Sequence, residues 1–423
     1  MKVVWFTNIP FPQQLNISAT DHSGAGGWMV SLLDQLIKHP DIFVYVITVA
    51  PRLTNGARDY KENVKFISVN QRAGWKSIYW GKNDKSKKYL KLCSKLLSDI
   101  QPDIIHIHGT ERFYGLLSVA NPISAPIVIS IQGLLQEISK TRNFFGHVPL
   151  KSIARWQLSW KGLLGKGPIF NYLRFVESAK REVTIIEHSK FIFGRTNWDR
   201  LHVMAINPKL NYYHLDEMIR SAFWKTKWEL GECERHRILI PSPNTLAKGI
   251  ETIIEAVKLL RGQFHKITIA IPGAVSKFTH IKSIINVIEI YGWSSSVEFL
   301  GELNETEMAQ EIRRAHVFVL TSTIENSPNS LCEAQLMGLP CIASRVGGIP
   351  SLIDNNRTGL LFPSGDAPIL AETIRSVFLD DIIAKRISRN GREAALLRHN
   401  PERIVSSTID SYQKIINEWK NIS

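Results

Sequence analysis

Residues 317–348 read VFVLTSTIENSPNSLCEAQLMGLPCIASRVGG. Four apolar residues open the stretch, a polar loop with Pro328 follows, and residues 331–337 carry a helical pattern. Gly338 and Pro340 then stop the helix, and residues 340–344 are again a short apolar run. A short apolar run bounded by turn residues reads as a strand buried on both faces. Strand, crossover helix and strand together make a βαβ unit with parallel strands. Asn329 or Ser330 is placed to cap a helix that starts near Leu331. That puts Glu325 in the strand-to-helix loop and Glu333 in the first helical turn.

Working outward, the same alternation fills the chain. Strands are expected at 3–7, 43–49, 64–69, 104–108 and 127–131, with helices at 28–38 and 89–100. The alternation restarts with strands at 238–240, 267–271, 297–299 and 317–320. Helices are expected at 249–261, 281–291, 308–315 and 367–379. A chain of 423 residues exceeds what one core supports, roughly 250–300 residues. Two doubly wound, Rossmann-like α/β domains are therefore expected, facing across a cleft that receives the carboxyl ends of the strands. The break falls in the polar stretch 228–237, so the domains are 1–230 and 231–400, with a terminal helix over 401–423.

Composition narrows the class. Residues 1–230 hold 31 Lys and Arg against 17 Asp and Glu, and the remaining residues hold 21 against 21. All of the formal net charge of +14 therefore lies in the first half, as do nine of the eleven Trp. A one-sided basic surface fits a polyanionic partner. The four cysteines (Cys93, Cys233, Cys332 and Cys341) form no CxxC pair, which argues against a disulfide framework or a zinc site and fits a cytoplasmic protein. The opening residues lack the apolar core and cleavage site of a signal peptide, and no apolar run is long enough for a membrane helix.

The chemistry concentrates between Glu325 and Glu333. The backbone amides of Asn329, Ser330 and Leu331 would point out of a helix N-terminus and suit an anion such as diphosphate. Ser327 and the two carboxylates can bind hydroxyls. Taken alone, two Glu at this spacing read as well as a solvated loop residue and a complement to the helix dipole. Their surroundings say more: Glu325, Glu333-Ala334, Gly338-Leu339-Pro340, Ser344, Gly347-Gly348, Thr358-Gly359-Leu360-Leu361 and Asp366. This series closely resembles the signature of the GT-B retaining glycosyltransferases of family 4. The resemblance implies that Glu325 contacts the transferred sugar and that Glu333 binds the ribose hydroxyls of a nucleotide donor. Lys248, in Leu246-Ala247-Lys248-Gly249, matches the Lys that pairs with diphosphate there. Many members carry an Arg just upstream, where this chain has Ser242-Pro243-Asn244-Thr245. Asn244 is retained as donor-binding, and Arg195, in Phe193-Gly194-Arg195-Thr196, is a candidate for the missing cation.

In the first half, Gly26 and Gly27 close a glycine run before a helix, which matches the family's loop facing the donor diphosphate. His106 and His108 share one face of a strand, and His108, at its end, could reach the cleft. Relatives place a His at the end of the following strand, where this chain has Gln132, which cannot titrate. That suits front-face retention, in which the leaving phosphate oxygen takes the acceptor's proton. Residues 72–91 and 140–174 interleave cations with Trp75, Trp80, Trp156, Trp160, Phe144 and Phe145. That pattern suits an anionic membrane surface, single-stranded nucleic acid or an aromatic acceptor groove. The resemblance favours a membrane with a saccharide or lipid-linked acceptor, and no nucleic acid.

The function expected is thus retaining transfer of a hexose or N-acetylhexosamine from an NDP-sugar (UDP or GDP) in cell-surface polysaccharide synthesis, with no metal or cofactor. An NDP-sugar epimerase on the same fold and a non-catalytic basic binding protein are the alternatives.

Overall fold

The computed structural model describes the chain except residues 16–25, 52, 72–85, 121–122, 160–161, 163–166, 274–284, 286–292 and 422–423. Trp75, Trp80, Trp160 and nearly all of the helix expected at 281–291 lie outside the described residues. The chain divides into two compact units. Met1–Ser139, Ile169–Met218 and His399–Ser423 form the first, and Lys140–Pro168 with Ile219–Arg398 form the second.

The first unit is built on eight strands: β1 Lys2–Thr7, β2 Phe43–Ala50, β3 Gly56–Tyr60, β4 Val64–Asn70, β5 Ile104–His108, β6 Ile127–Ser130, β7 Phe191–Gly194 and β8 Asn211–His214. Their order is β3-β4-β2-β1-β5-β6-β7-β8, and only the β3–β4 pair is antiparallel. Alternation sends Val3, Trp5, Val44 and Val46 to one core, against the helix Gly27–Leu36. Val4, Phe6, Ile47, Ile105 and Ile107 go to the other, against the helix Ser86–Ile100. Both faces are therefore covered, as the unbroken apolar runs demand. The last helix, Pro401–Lys420, belongs to this unit and buries Ile404, Tyr412 and Ile415 on the first of these faces. The Tyr412 hydroxyl meets the Trp5 indole N–H at 3.1 Å and His106 Nδ1 at 2.6 Å, and His106 Nε2 pairs with the Ser130 hydroxyl at 2.6 Å.

The second unit holds six parallel strands: β9 Arg237–Leu239, β10 Thr268–Pro272, β11 Val297–Gly301, β12 Val317–Leu320, β13 Cys341–Ser344 and β14 Leu360–Phe362. Their order is β11-β10-β9-β12-β13-β14. The sequence boundary after residue 230 falls twelve residues late, and residues 140–168 belong with this second unit, not the first. Packing explains both shifts. Phe223 and Trp228 lie in one core with Phe318 and Leu331, and the Trp228 indole donates to the Ala315 carbonyl at 2.7 Å. The Asn143 carbonyl accepts from the Thr323 hydroxyl at 2.8 Å, and the His147 N–H reaches Glu251. Among the described residues, no helix is long and apolar enough to cross a membrane.

Burial holds the His106 imidazole neutral, with its pKa lowered to about 3, and the positive charge of Arg195 adds to the shift. The unfolded chain binds this proton near pH 6.5, so the stability is fully present above that pH and is lost as pH falls toward about 3. Thermal stability should therefore fall from pH 7 to pH 4. In His106→Gln the slope should be smaller by up to about 1.4 kcal/mol per pH unit, the value of one proton. Equal slopes in calorimetry would contradict this.

Candidate functional site

In each sheet the strand order reverses at one place, and ligands of open α/β sheets sit at the carboxyl ends of the strands beside that reversal. In the second unit the reversal lies between β9 and β12. The loop after β9 carries Asn244, Lys248 and Gly249, and the loop after β12 carries Glu325.

Backbone hydrogen bonds and close approaches fasten these two loops together. Gly249 has φ 61°, and a Cβ on it would lie 2.4 Å from the Thr321 carbonyl oxygen. The Thr321 hydroxyl donates to the Lys248 carbonyl at 2.9 Å, and the Thr323 N–H to the Ala247 carbonyl at 2.8 Å. From β13 the Ser344 hydroxyl donates to the Ser322 carbonyl, and the Gly348 N–H donates to the Glu325 carbonyl at 2.9 Å. Gly347, at φ 49°, passes so close that a Cβ would stand 2.0 Å from the Glu325 carbonyl oxygen. Gly249 and Gly347 are therefore needed because the backbones of Thr321 and Glu325 fill the space a side chain at either position would use. The Glu325 side chain is fixed as well. Its Oε1 accepts from Lys248 Nζ at 2.5 Å and from the Ser322 hydroxyl at 2.7 Å.

The following helix spans Asn329–Met337, two residues longer at its start than expected. Its N-cap is Pro328, and neither Asn329 nor Ser330 caps it. Proline fixes φ in the range a helix start requires and lets the first turn begin at once. The Leu331 N–H is already bonded to the Pro328 carbonyl at 3.0 Å and its side chain is wholly buried, so Leu331 is removed from the anion-binding set. Among the described residues, the amides of Asn329 and Ser330 take no backbone partner and remain as the helix's free donors. Ser327 is half-buried beside them, and Asn244 is exposed.

Glu333 falls in the second turn rather than the first, and is 6% exposed. Burial raises its pKa, while Arg220 opposes the rise by charge and hydrogen bonding. Arg220 donates to Glu333 Oε1 from Nη2 at 2.7 Å and from Nε at 3.1 Å. Nothing in the sequence marked Arg220, which is 113 positions away.

In the first unit the reversal lies between β1 and β5. Asn8 follows β1, and His108, Gly109 and Glu111 end or follow β5. Asn8 Nδ2 donates to Glu111, whose carboxyl is pushed to about 7, chiefly by burial. Gln132 follows β6 and accepts from Arg195 Nη2 at 2.9 Å. Arg195 pairs with Glu217 and lies 5.3 Å from the centre of the Trp28 ring. His108 is 2% exposed, with its ring between those of Trp5 and Trp28 at 4.6 and 5.3 Å. Burial first, then His106 and Arg195, hold it well below the ordinary histidine pKa. Both nitrogens of His108, Asn8 Oδ1 and Gln132 Nε2 are buried without a partner among the described residues. Buried polar atoms are nearly always bonded, so four such atoms at three adjacent strand ends make this a candidate place for a ligand. Gly26, at φ 79°, caps the helix that Gly27 begins, while Gly24 and Ala25 lie outside the described residues. The sequence did not single out Asn8 or Glu111, although each stands just past a strand end. Among the described residues, no three His, Cys, Asp or Glu are grouped to hold a metal.

Gly347→Ala should push the Glu325 loop outward and lower stability by roughly 1–3 kcal/mol, the scale of local backbone strain. Urea unfolding is the check, and an unchanged midpoint would show that the close approach is not maintained in solution.

Residues 223–394 match the family model for glycosyl transferases group 1. A sulfoquinovosyl transferase of Arabidopsis thaliana is 24% identical over 383 residues, 85% of this chain and 69% of that protein. An N-acetyl-alpha-D-glucosaminyl L-malate synthase of Bacillus anthracis is 26% identical, over 61% of this chain and 66% of that protein, so this match spans just under two thirds of the relative's length. Among solved structures, sucrose-phosphate synthase from Thermosynechococcus elongatus superposes with a TM-score of 0.71 at 16% identity. That match covers 99% of both chains.

Proposed function

We propose that this chain, which belongs through residues 223–394 to the glycosyl transferases group 1, moves a hexosyl or N-acetylhexosaminyl group with retention from an NDP-sugar to a saccharide or lipid-linked acceptor. Its two parallel-sheet α/β units are those of the GT-B fold. The observation that carries the proposal is the contact between Lys248 Nζ and Glu325 Oε1 at the strand reversal of the second unit. A cation for diphosphate and a carboxylate for sugar hydroxyls are thereby held within one bond of each other.

The chemistry runs as follows. The bond from the sugar's anomeric carbon to the diphosphate oxygen breaks, and a bond from the same carbon to the acceptor oxygen forms on the same face. The acceptor's proton passes to the departing diphosphate oxygen. Lys248 and the amides of Asn329 and Ser330 stabilise the negative charge that develops there, so the proposal requires no metal. Glu325 orients the sugar through its hydroxyls, and Glu333 accepts from the ribose. The unpaired atoms of Asn8, His108 and Gln132 suit the hydroxyls of an acceptor, with Arg195 beside them.

A role at an anionic membrane surface in cell-surface polysaccharide synthesis is supported by the helix Leu150–Gln157. It exposes Leu150 and Leu158 at 73% each, with Lys151 and Arg155 also exposed. Exposed apolar and basic groups on one short helix suit an interfacial position.

A thermal-shift panel of UDP, GDP and ADP sugars selects the donor, and release of nucleoside diphosphate measures turnover. Lys248→Ala and Glu325→Gln should each lower kcat by on the order of 10²–10³-fold, as expected for loss of one preorganised electrostatic contact. Wild-type rates in both variants would overturn the assignment.

A further inference from the structure

We propose that Arg220 is a positioning residue for the donor, holding one oxygen of Glu333 so that the other is presented, ionised, to the ligand's hydroxyls. The inference rests on the donor assignment above and adds to it a group that no motif contains.

The geometry is asymmetric. Two N–H groups of the Arg220 guanidinium converge on the single atom Oε1, at 2.7 and 3.1 Å. A fork-to-fork pair would have taken both carboxylate oxygens. Oε2 has no hydrogen-bond partner among the described residues, yet it is not among the buried atoms left unsatisfied. It is therefore the oxygen open to a ligand. The guanidinium is itself fixed, lying 4.9 Å from the centre of the buried Phe223 ring in the helix Ala222–Lys225. Arg220 and Phe223 are three residues apart, so one short segment supplies both the cation and the surface on which it rests.

Charge makes the same point. Glu333 is buried, and burial favours its neutral form. The charged groups facing it are Arg220, which opposes protonation, and Glu305 of the helix Glu305–Arg314, which promotes it. Among the described residues, Arg220 is thus the cation that opposes protonation of this carboxylate. A neutral carboxyl accepts from vicinal hydroxyls far more weakly than a carboxylate does.

The test has two arms on the full-length protein: wild type, Arg220→Gln, Arg220→Lys and Glu333→Gln. In the first, carboxyl 13C resonances of labelled glutamate are titrated, with Glu333 assigned by its absence in Glu333→Gln. Glu333 should titrate at higher pH in Arg220→Gln and close to the wild-type pH in Arg220→Lys. In the second arm, affinity for UDP, GDP and ADP is measured between pH 5.5 and 8.5. Arg220→Gln should bind the preferred diphosphate roughly tenfold or more weakly, the scale of one charge-assisted hydrogen bond, and the deficit should widen as pH falls. Arg220→Lys should recover the pH-independence and part of the affinity. Glu333→Gln should bind weakly at every pH.

An unmoved Glu333 titration in Arg220→Gln overturns the inference. So does tighter binding by that variant, which would show Arg220 competing with the ligand for the carboxylate. If the wild type binds no nucleoside diphosphate, the donor assignment fails, and the titration arm still decides whether Arg220 sets the ionisation of Glu333.

Discussion

The second unit depends on the backbone of one loop, residues 321–325, being clasped from both sides. Strand β12 lies at the centre of its sheet, between β9 and β13. Its loop is met by the loop after β9 through Gly249 and by the chain after β13 through Gly347 and Gly348. The Lys248–Glu325 contact is a consequence of that clasp. A Lys and a Glu placed on freely moving loops would lose rotamer entropy on meeting and gain little in water. Here each backbone is already fixed, and the partners are only 21% and 14% exposed, so the pair forms at small additional entropic cost. The glycines matter for the same reason. They are the positions at which one loop lies against another with no space between.

Much of this was legible in residues 317–348. The apolar runs gave the strands, and the turn residues gave the breaks. Of the glycine pair that the family resemblance singled out, Gly347 proved to be a position the packing requires, whereas Gly348 takes part through its N–H. What was not legible is long-range or depends on local backbone detail. Helix-capping preference pointed to Asn329 or Ser330, but Pro328 with its fixed φ starts the helix first and spends the Leu331 amide. Arg220 falls in a segment whose own pattern is unremarkable, and its contact with Glu333 exists only after the second unit has folded. Residues 140–168 could not be assigned to the second unit from the sequence. The chain leaves one unit, packs on the other through Asn143 and His147, and returns; the basic, aromatic composition from residue 140 marks the stretch but does not say which unit it joins.

The two units solve the same problem with different electrostatics. In the second, every group argued to touch a ligand is charged or is a helix amide, and each carboxylate has a cation against it. In the first, the cation Arg195 is neutralised by Glu217, and the atoms left over are an amide nitrogen, an amide oxygen and a neutral imidazole. The former arrangement suits a polyanion carrying hydroxyls, and the latter a ligand that is mostly hydroxyls. His108 shows how the fold enforces the difference. Burial first, then its neighbours His106 and Arg195, keep its ring neutral, so it can donate from one nitrogen and accept at the other.

Net charge is therefore a poor guide to where an anion binds. Residues 1–230 carry the whole formal excess of +14, and the rest of the chain balances. The groups placed to receive diphosphate, Lys248 and the amides of Asn329 and Ser330, lie among residues 231–423, yet their unit also holds residues 140–168 and 219–230 and so carries +8 of that excess. Charges separated by more than about 8–10 Å are largely screened at physiological salt, so a distant surplus contributes little at the site. What acts there is local: one ammonium on a clasped loop and two unpaired amides at the start of a helix. Charge away from these groups is free to serve a different partner, and the helix Leu150–Gln157 of the same unit has the basic and apolar residues for a surface.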